Sequence, residues 1–588
     1  MKFIKTPQWA NKPKQEGLLF FAQILNEALF DYSLDTYKPQ ALNVRLLCIE
    51  ALETIDNIST GLIKKPNLES VIDELIWSLS SDIAAKELVD KKVEGIIERI
   101  NANKNNLRKL KQVILLLYHF LDDKKYLNYL QLSLIELIPV NKEKEKIFKL
   151  TRAYITEIIN YGYNPSYIYY IVNRFFFNSF KKFTYKTPKE FFEIFDFKGK
   201  KFTVVYKVSQ LFNEFSNVSE HLGYKIVSTY THKNLKGEAK KFLAEKADDE
   251  LFVVFENAEA LDERTVRIYS ENALFRVGNL FSFYHHKETP KISPMALIIN
   301  EVDRTDMLLG EPIKSIIKKA DVKPYVAALK VKNLLAELEL PKMTVKRITR
   351  AIDLHSISLT SEQVENKLLT LWTAIETLIP KDIECGDDRI VQIIKALTPF
   401  QEIKYINKLI EQAGSDFLNF DRLKSKKLLN EVVLKKEETT FFALAAIIMT
   451  KENESLRNQI YALLANYPLL RFRLFTLNKN FSNGKNIKKI LENHRQKVEW
   501  QIRRIYRVRN LIVHSGKMPS YTNILVENLH NYFDDFLNSI IDNSIKEKRI
   551  QTITQAILDA EIECDNLKKK INAIDANDIT LDNYSMVL

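Results

Sequence analysis

Apolar positions along the chain change their period twice. Through residues 1–190 they recur every three or four places, as in VRLLCIEALETID (44–56) and LESVIDELIWSLSSDI (68–83), with Asn, Gly or Pro between segments. That spacing predicts amphipathic helices. Between 191 and 335 short β-branched and aromatic runs take over. FTVVYKV (202–208), KIVSTYTH (225–232) and LFVVFEN (251–257) read as strands, and the stretches 208–222 and 258–284 read as helical. From 336 to 545 the helical period returns, and 546–588, with KEKR (546–549) and KKK (568–570), reads as an exposed helix and tail. The expected fold is mainly α: an N-terminal helical domain (1–190), a small α+β domain (191–335), a helical bundle (336–545) and a C-terminal helix and tail (546–588). Within the bundle, Thr360 and Gln363 form a capping box ahead of a helix with Val364, Leu368, Leu371, Trp372, Ile375 and Ile379 on its apolar face, and Pro380 ends it. The aromatic stretch 163–186 points to a packed junction.

Composition removes several classes of chemistry. The chain has only 13 glycines in 588 residues, and no two lie closer than fourteen positions. The dinucleotide-binding fingerprint, the P-loop and the G-x-S-x-G elbow all need closer glycines. Cys48, Cys385 and Cys564 are scattered with no C-x-x-C, and the close pair His285–His286 cannot point one way on a helix or a strand. No bound metal and no cofactor are expected. The N-terminal MKFIKTPQWANKPKQ lacks the apolar stretch of a signal peptide, and runs such as VILLLY (113–118) and FALAAIIM (442–449) fall short of the ~20 residues that span a bilayer. A cytoplasmic protein with no membrane partner is expected.

Net charge is +12. The densest positive stretch, Lys485 to Lys517, holds ten Lys or Arg against Glu492 and Glu499. Arginines clustered in this way suit a phosphate backbone, because guanidinium binds phosphate oxygens bidentately. RNA is the expected partner, with Arg503, Arg504, Arg507 and Lys517 as candidate binding residues. The apolar stripe of this helix runs Ile487, Leu491, His494, Val498, Ile502, Ile505 and Ile512. At about 100° per residue Arg509 falls inside that stripe, while Arg503 and Arg507 fall opposite it. An arginine aimed at a core is either locked to a buried acid or set in a cleft. Glu376, one turn after Trp372 at the edge of its own apolar face, is a candidate acid.

The segment EWQIRRIYRVRNLIVHSG (499–516), preceded by KLLTLWTAIETL (367–378), resembles the HEPN superfamily, and specifically its Apea-type branch found in bacterial phage-defence proteins. Arg509-Asn510-Leu511-Ile512-Val513-His514 matches that family's R-N-x-x-x-H, and Trp372 and Glu376 match its upstream tryptophan-and-glutamate helix. The resemblance covers about 340–545 and implies a HEPN-type bundle there. It also implies a metal-independent endoribonuclease. His514 would act as general acid or base, Arg509 would stabilise the scissile phosphate, Asn510 would orient the pair or the substrate, and Glu376 would orient Arg509. The ends left behind would be a 2′,3′-cyclic phosphate and a 5′-hydroxyl. Such proteins act as toxic effectors of abortive infection, which implies a homodimer or higher homo-oligomer through this domain and a phage-derived trigger or cognate regulator.

On a straight helix positions 509 and 514 point about 140° apart. Joint action needs the helix to end or distort near His514, or a second subunit to complete the site. Two look-alikes weigh less. Arg350 to His355 has the bare Arg-to-His spacing without the Asn, and Tyr532-Phe533-Asp534-Asp535 copies a polymerase motif but sits in a helical period. A non-catalytic RNA-binding or scaffolding protein that keeps the bundle for dimerisation is the alternative. A DNA-binding regulator lacks any recognisable reading helix.

Overall fold

A computed structural model of the chain describes residues 9, 15–140, 142–178, 183–184, 186–217, 219–233, 235, 237–312, 316, 322–337, 340–380, 388–432, 439–546, 550–574 and 578–588. Cys385 and the last three residues of KEKR lie outside this set. The architecture is mainly helical with one small antiparallel sheet. Among the described residues no helix is long and apolar enough to cross a membrane.

The chain separates into two compact units. One gathers residues 1–156, 182–185 and 314–588; the other holds 157–181 and 186–313. The segments read from sequence as N-terminal helices and C-terminal bundle thus belong largely to one unit. The α+β unit interrupts it in sequence.

In the smaller unit, strands β1 (Lys200–Ser209), β2 (Lys225–Val227), β3 (Glu250–Ala260), β4 (Ile292–Asn300) and β5 (Thr305–Leu309) form a sheet in the order β2-β3-β1-β4-β5. Val205 of β1 pairs with Val254 of β3 on one side and Leu297 of β4 on the other. One face, carrying Phe202, Val204 and Tyr206, packs on Val266, Leu274 and Val277 of the helix Glu263–Tyr284. The opposite face, carrying Val205, Phe252 and Leu297, packs on Ala239 and Phe242 of the helix Gly237–Ala244. Both faces of β1 are therefore covered, which explains its near-continuous apolar run. Asp262 caps the longer of these helices by accepting from the N–H groups of Arg264 and Thr265 at 2.9 and 2.8 Å. Strand β2 keeps only three residues of the expected KIVSTYTH run, and β4 and β5 were not anticipated. Pro294 near the start of β4 and a run too short to show a period hide it from the sequence. Within this unit Phe176 of the aromatic stretch is fully buried, its ring 4.9 Å from that of the buried Phe191; residues 179–182 and 185 of the stretch lie outside the described residues.

In the larger unit, two apolar cores among the described residues are strung along one 32-residue helix, Gly484–Ser515. Its first half contributes Ile487 and Leu491 to a core shared with the helices Tyr405–Phe420, Thr440–Met449 and Pro468–Phe481. Further along, Val498, Ile502, Ile505 and Val508 join a core around Trp372, shared with Val364–Leu378, Arg389–Ile403, Thr522–Lys546 and Ile553–Ile574. Between the two, His494 stacks on Tyr405 at 3.6 Å, and burial pushes its imidazole down to about 3, so it remains neutral.

Two local expectations are corrected here. Thr360 does not cap the next helix: it closes Lys342–Thr360, and its hydroxyl donates to the carbonyls of Ser356 and Ile357. The N-cap of Val364–Leu378 is Gln363, which makes no side-chain cap bond. The C-terminal helix and tail, expected exposed, are partly sequestered: Ala556, Ile557 and Ala560 of the helix pack into the Trp372 core, and Ile571 and Ile574 of the helix with Tyr584 and Val587 of the tail into the other.

Candidate functional site

The long helix carries every candidate arginine. Asn483 starts it by accepting from the N–H of Asn486 at 2.9 Å. Gly516 stops it in the left-handed conformation, φ 63°, with its N–H bonded to the Ile512 carbonyl at 3.1 Å. The helix is regular from Gly484 to Ser515, so His514 stands in the last turn, exposed, with no distortion between it and Arg509. Cover thins along the apolar stripe toward this end: Val508 is buried, Ile512 half-buried and Val513 half exposed. Arg509 is accordingly half-buried, and its Nη1 donates to the Asn510 side-chain oxygen at 3.0 Å. Among the described residues no carboxylate lies within ion-pair distance of Arg509.

The tryptophan helix Val364–Leu378 does lie beside the arginine helix, with the Trp372 ring 5.7 Å from that of Tyr506. Glu376 is half-buried, but the expected Glu376–Arg509 pair is not formed among the described contacts. The cation nearest in effect to Glu376 is Arg389. Its Nη2 donates to the Glu376 backbone oxygen at 2.8 Å and to that of Ile379 at 2.6 Å. Burial lowers the Arg389 guanidinium below its ordinary value, and the Glu376 charge opposes that shift. The structure therefore brings Arg509 and Asn510 together, sets His514 one and a half turns on, and leaves Glu376 with Arg389.

Two of the four expected RNA-binding residues need correction. Arg504 and Arg507 are 2% and 3% exposed and turn into the protein. Arg504 donates from Nε and Nη2 to Glu50 at 3.0 and 2.9 Å and from Nη2 to Glu74 at 2.5 Å. Arg507 donates to Glu50 Oε1, the oxygen that also accepts from Arg504 Nε, at 2.8 Å and to the Ser70 hydroxyl at 2.9 Å. Glu50 lies on the helix Val44–Ser59, and Ser70 and Glu74 on Pro66–Leu79. Burial alone would raise the Glu50 carboxyl, but the two guanidiniums outweigh it and hold it at about 2. Glu74, desolvated and beside Glu50, is raised despite Arg504. Of the other two, Arg503 is half-buried and Lys517 exposed.

Glu50 and Glu74 were missed by sequence reasoning although a signal existed. Each sits at core spacing, Glu50 between Leu47 and Thr54, Glu74 between Val71 and Ser78, and an acid at core spacing asks for a cation. The polymerase look-alike is settled as expected: Asp534 and Asp535 stand on the helix Thr522–Lys546, and Asp535 pairs with Lys408. A shallow open depression lined by Glu454, Ser455, Asn458, Gln459 and Ala462 includes none of the candidate residues. No family model, curated protein or solved structure matches the chain.

Proposed function

We propose that the chain is a cytoplasmic, metal-independent endoribonuclease of the HEPN class, a toxic effector of abortive infection that cuts RNA through Arg509 and His514. One observation carries this reading: on a helix whose neighbouring arginines are spent on buried acids, Arg509, Asn510 and His514 are left at an open, cationic end with Arg503 and Lys517 nearby in sequence. In the reaction His514 takes the proton of a ribose 2′-hydroxyl, whose oxygen attacks the adjacent phosphorus. Arg509 balances the charge that builds on the non-bridging oxygens. A proton then goes to the leaving 5′-oxygen, giving a 2′,3′-cyclic phosphate and a 5′-hydroxyl. Acid–base help from a placed imidazole contributes about 10²–10⁴ in rate.

Because the helix is unbroken, the two side chains of one copy diverge by about 140°. That favours a composite site in which a second copy supplies one partner, and hence a homodimer. Mixing Arg509→Ala and His514→Ala chains tests this directly. Each alone cleaves about 10²–10⁴ more slowly than the parent, and the mixture regains part of the parent activity if the site is shared between copies. A mixture as dead as its parts removes the composite site. Sequencing RNA ends from cells expressing the parent and His514→Ala chains tests the activity itself; identical ends in both remove the enzyme. The absence of a Glu376–Arg509 pair favours a second reading, a non-catalytic RNA-binding scaffold. Binding that survives both substitutions, weakens steeply with salt and yields no cut ends selects it.

A further inference from the structure

The bundle assembles a group of side chains that no motif in the sequence joins. His355 comes from the helix Lys342–Thr360, and His530 and Asp534 come from one face of Thr522–Lys546, four residues apart. The two imidazole Nε2 atoms are 2.9 Å apart. An Asp534 oxygen stands 3.8 Å from His355 Nε2, and the other stands 3.4 Å from His530 Nδ1. One ligand atom from each of the three residues falls within 4.8 Å of the others. The rings are held in place: His355 stacks on Phe533 with centroids 5.0 Å apart and planes 11° apart, and on His530 at 4.9 Å. The side chains are 21%, 13% and 43% exposed, so one side of the group is open to solvent.

We propose that His355, His530 and Asp534 bind one divalent transition-metal cation of the zinc type, with water in the remaining position. Metal–imidazole bonds run at about 2.0–2.1 Å, and at that length two nitrogens 2.9 Å apart subtend about 90° at the ion. Opening them to about 3.3 Å, a shift of some 0.4 Å, gives the tetrahedral angle. Two nitrogens and one carboxylate favour zinc, cobalt or nickel over magnesium or calcium, which prefer all-oxygen sets. The ion would tie two bundle helices together, and this role stands apart from RNA cleavage.

The test uses the full chain, stripped with a chelator and then titrated with Co²⁺ or Zn²⁺ alone. Expected are one ion per chain by elemental analysis, and a visible Co²⁺ spectrum of nitrogen and oxygen ligation. Both are lost in His530→Ala, and affinity falls about tenfold or more in Asp534→Asn. The second variant changes an open side chain and keeps the test decisive if the first fails to fold. Parent chain that takes up no ion, variants that match the parent in stoichiometry and spectrum, or a thiolate-type Co²⁺ spectrum would each overturn the site.

Discussion

Arg504 and Arg509 stand five residues apart on one helix and meet opposite fates. Arg504 is buried under Glu50 and Glu74, whereas among the described residues Arg509 meets Asn510 alone at its guanidinium. Helical phase alone ranks them the other way, since Arg509 falls on the apolar stripe and Arg504 does not. The difference lies in what covers each face. The stripe loses its neighbours toward Ser515, while the face carrying Trp500, Arg504 and Arg507 is met by the helices Val44–Ser59 and Pro66–Leu79, with the Trp77 and Trp500 rings 5.6 Å apart. A side chain's phase says which way it points; only the tertiary neighbour says into what. Arg473 repeats the lesson, buried between Glu27 and Asp416 with its guanidinium 3.6 Å above the Tyr37 ring.

The sharpest way to break the contrast is Glu50→Ala, which strands two buried guanidiniums. It is expected to cost about 3–5 kcal/mol in chemical denaturation, and Arg504→Ala a similar amount; values near zero would mean that the acid and the arginines are not joined in solution. Next comes the open end of the helix. Arg509→Ala and His514→Ala are expected to lower RNA cleavage by about 10²–10⁴ while shifting stability by less than about 0.5 kcal/mol. Equal stability losses at Arg504 and Arg509 would erase the distinction between them. Smaller still, Gly516→Ala places a side chain at φ 63° with nothing within 4 Å of it, so its cost is conformational alone, about 1 kcal/mol. The measurement is the denaturation midpoint, and no change would mean that the helix does not stop there.

Acid separates the two arginines as well. The Glu50 carboxyl is depressed from 4.5 to about 2 in the folded chain. Its ionised form is therefore the stabilised one: the contribution is complete above pH 4.5 and disappears as pH falls toward 2. A melting temperature that drops through this window in the parent, and drops less in Glu50→Gln, is expected; parallel curves would contradict the assignment.

Much of this architecture was readable before any coordinates. Strands β1 and β3, covered on both faces, have the unbroken Val and Phe runs that such burial requires. The R-N-x-x-x-H segment was likewise visible as a helix nearing its end. What stayed hidden depends on distant pairing. Glu50 reaches Arg504 across 454 residues, and His355 meets His530 across 175, so no local window contains either pair. Strand β2 shortened because only Lys225–Val227 finds a partner on β3, a matter of register rather than propensity. Ala556 and Val587 looked peripheral because their cores are built by residues hundreds of positions upstream.

The link between Glu50 and Arg504 also sets an order of events during synthesis. Glu50 and Glu74 leave the ribosome long before Arg504 and Arg507 exist, and a loop of 454 residues must close before the charges can meet. Until then the early helices carry two uncompensated acids on a face meant to be covered. A chain that stops before residue 504 keeps both acids and never acquires the cations that steady them.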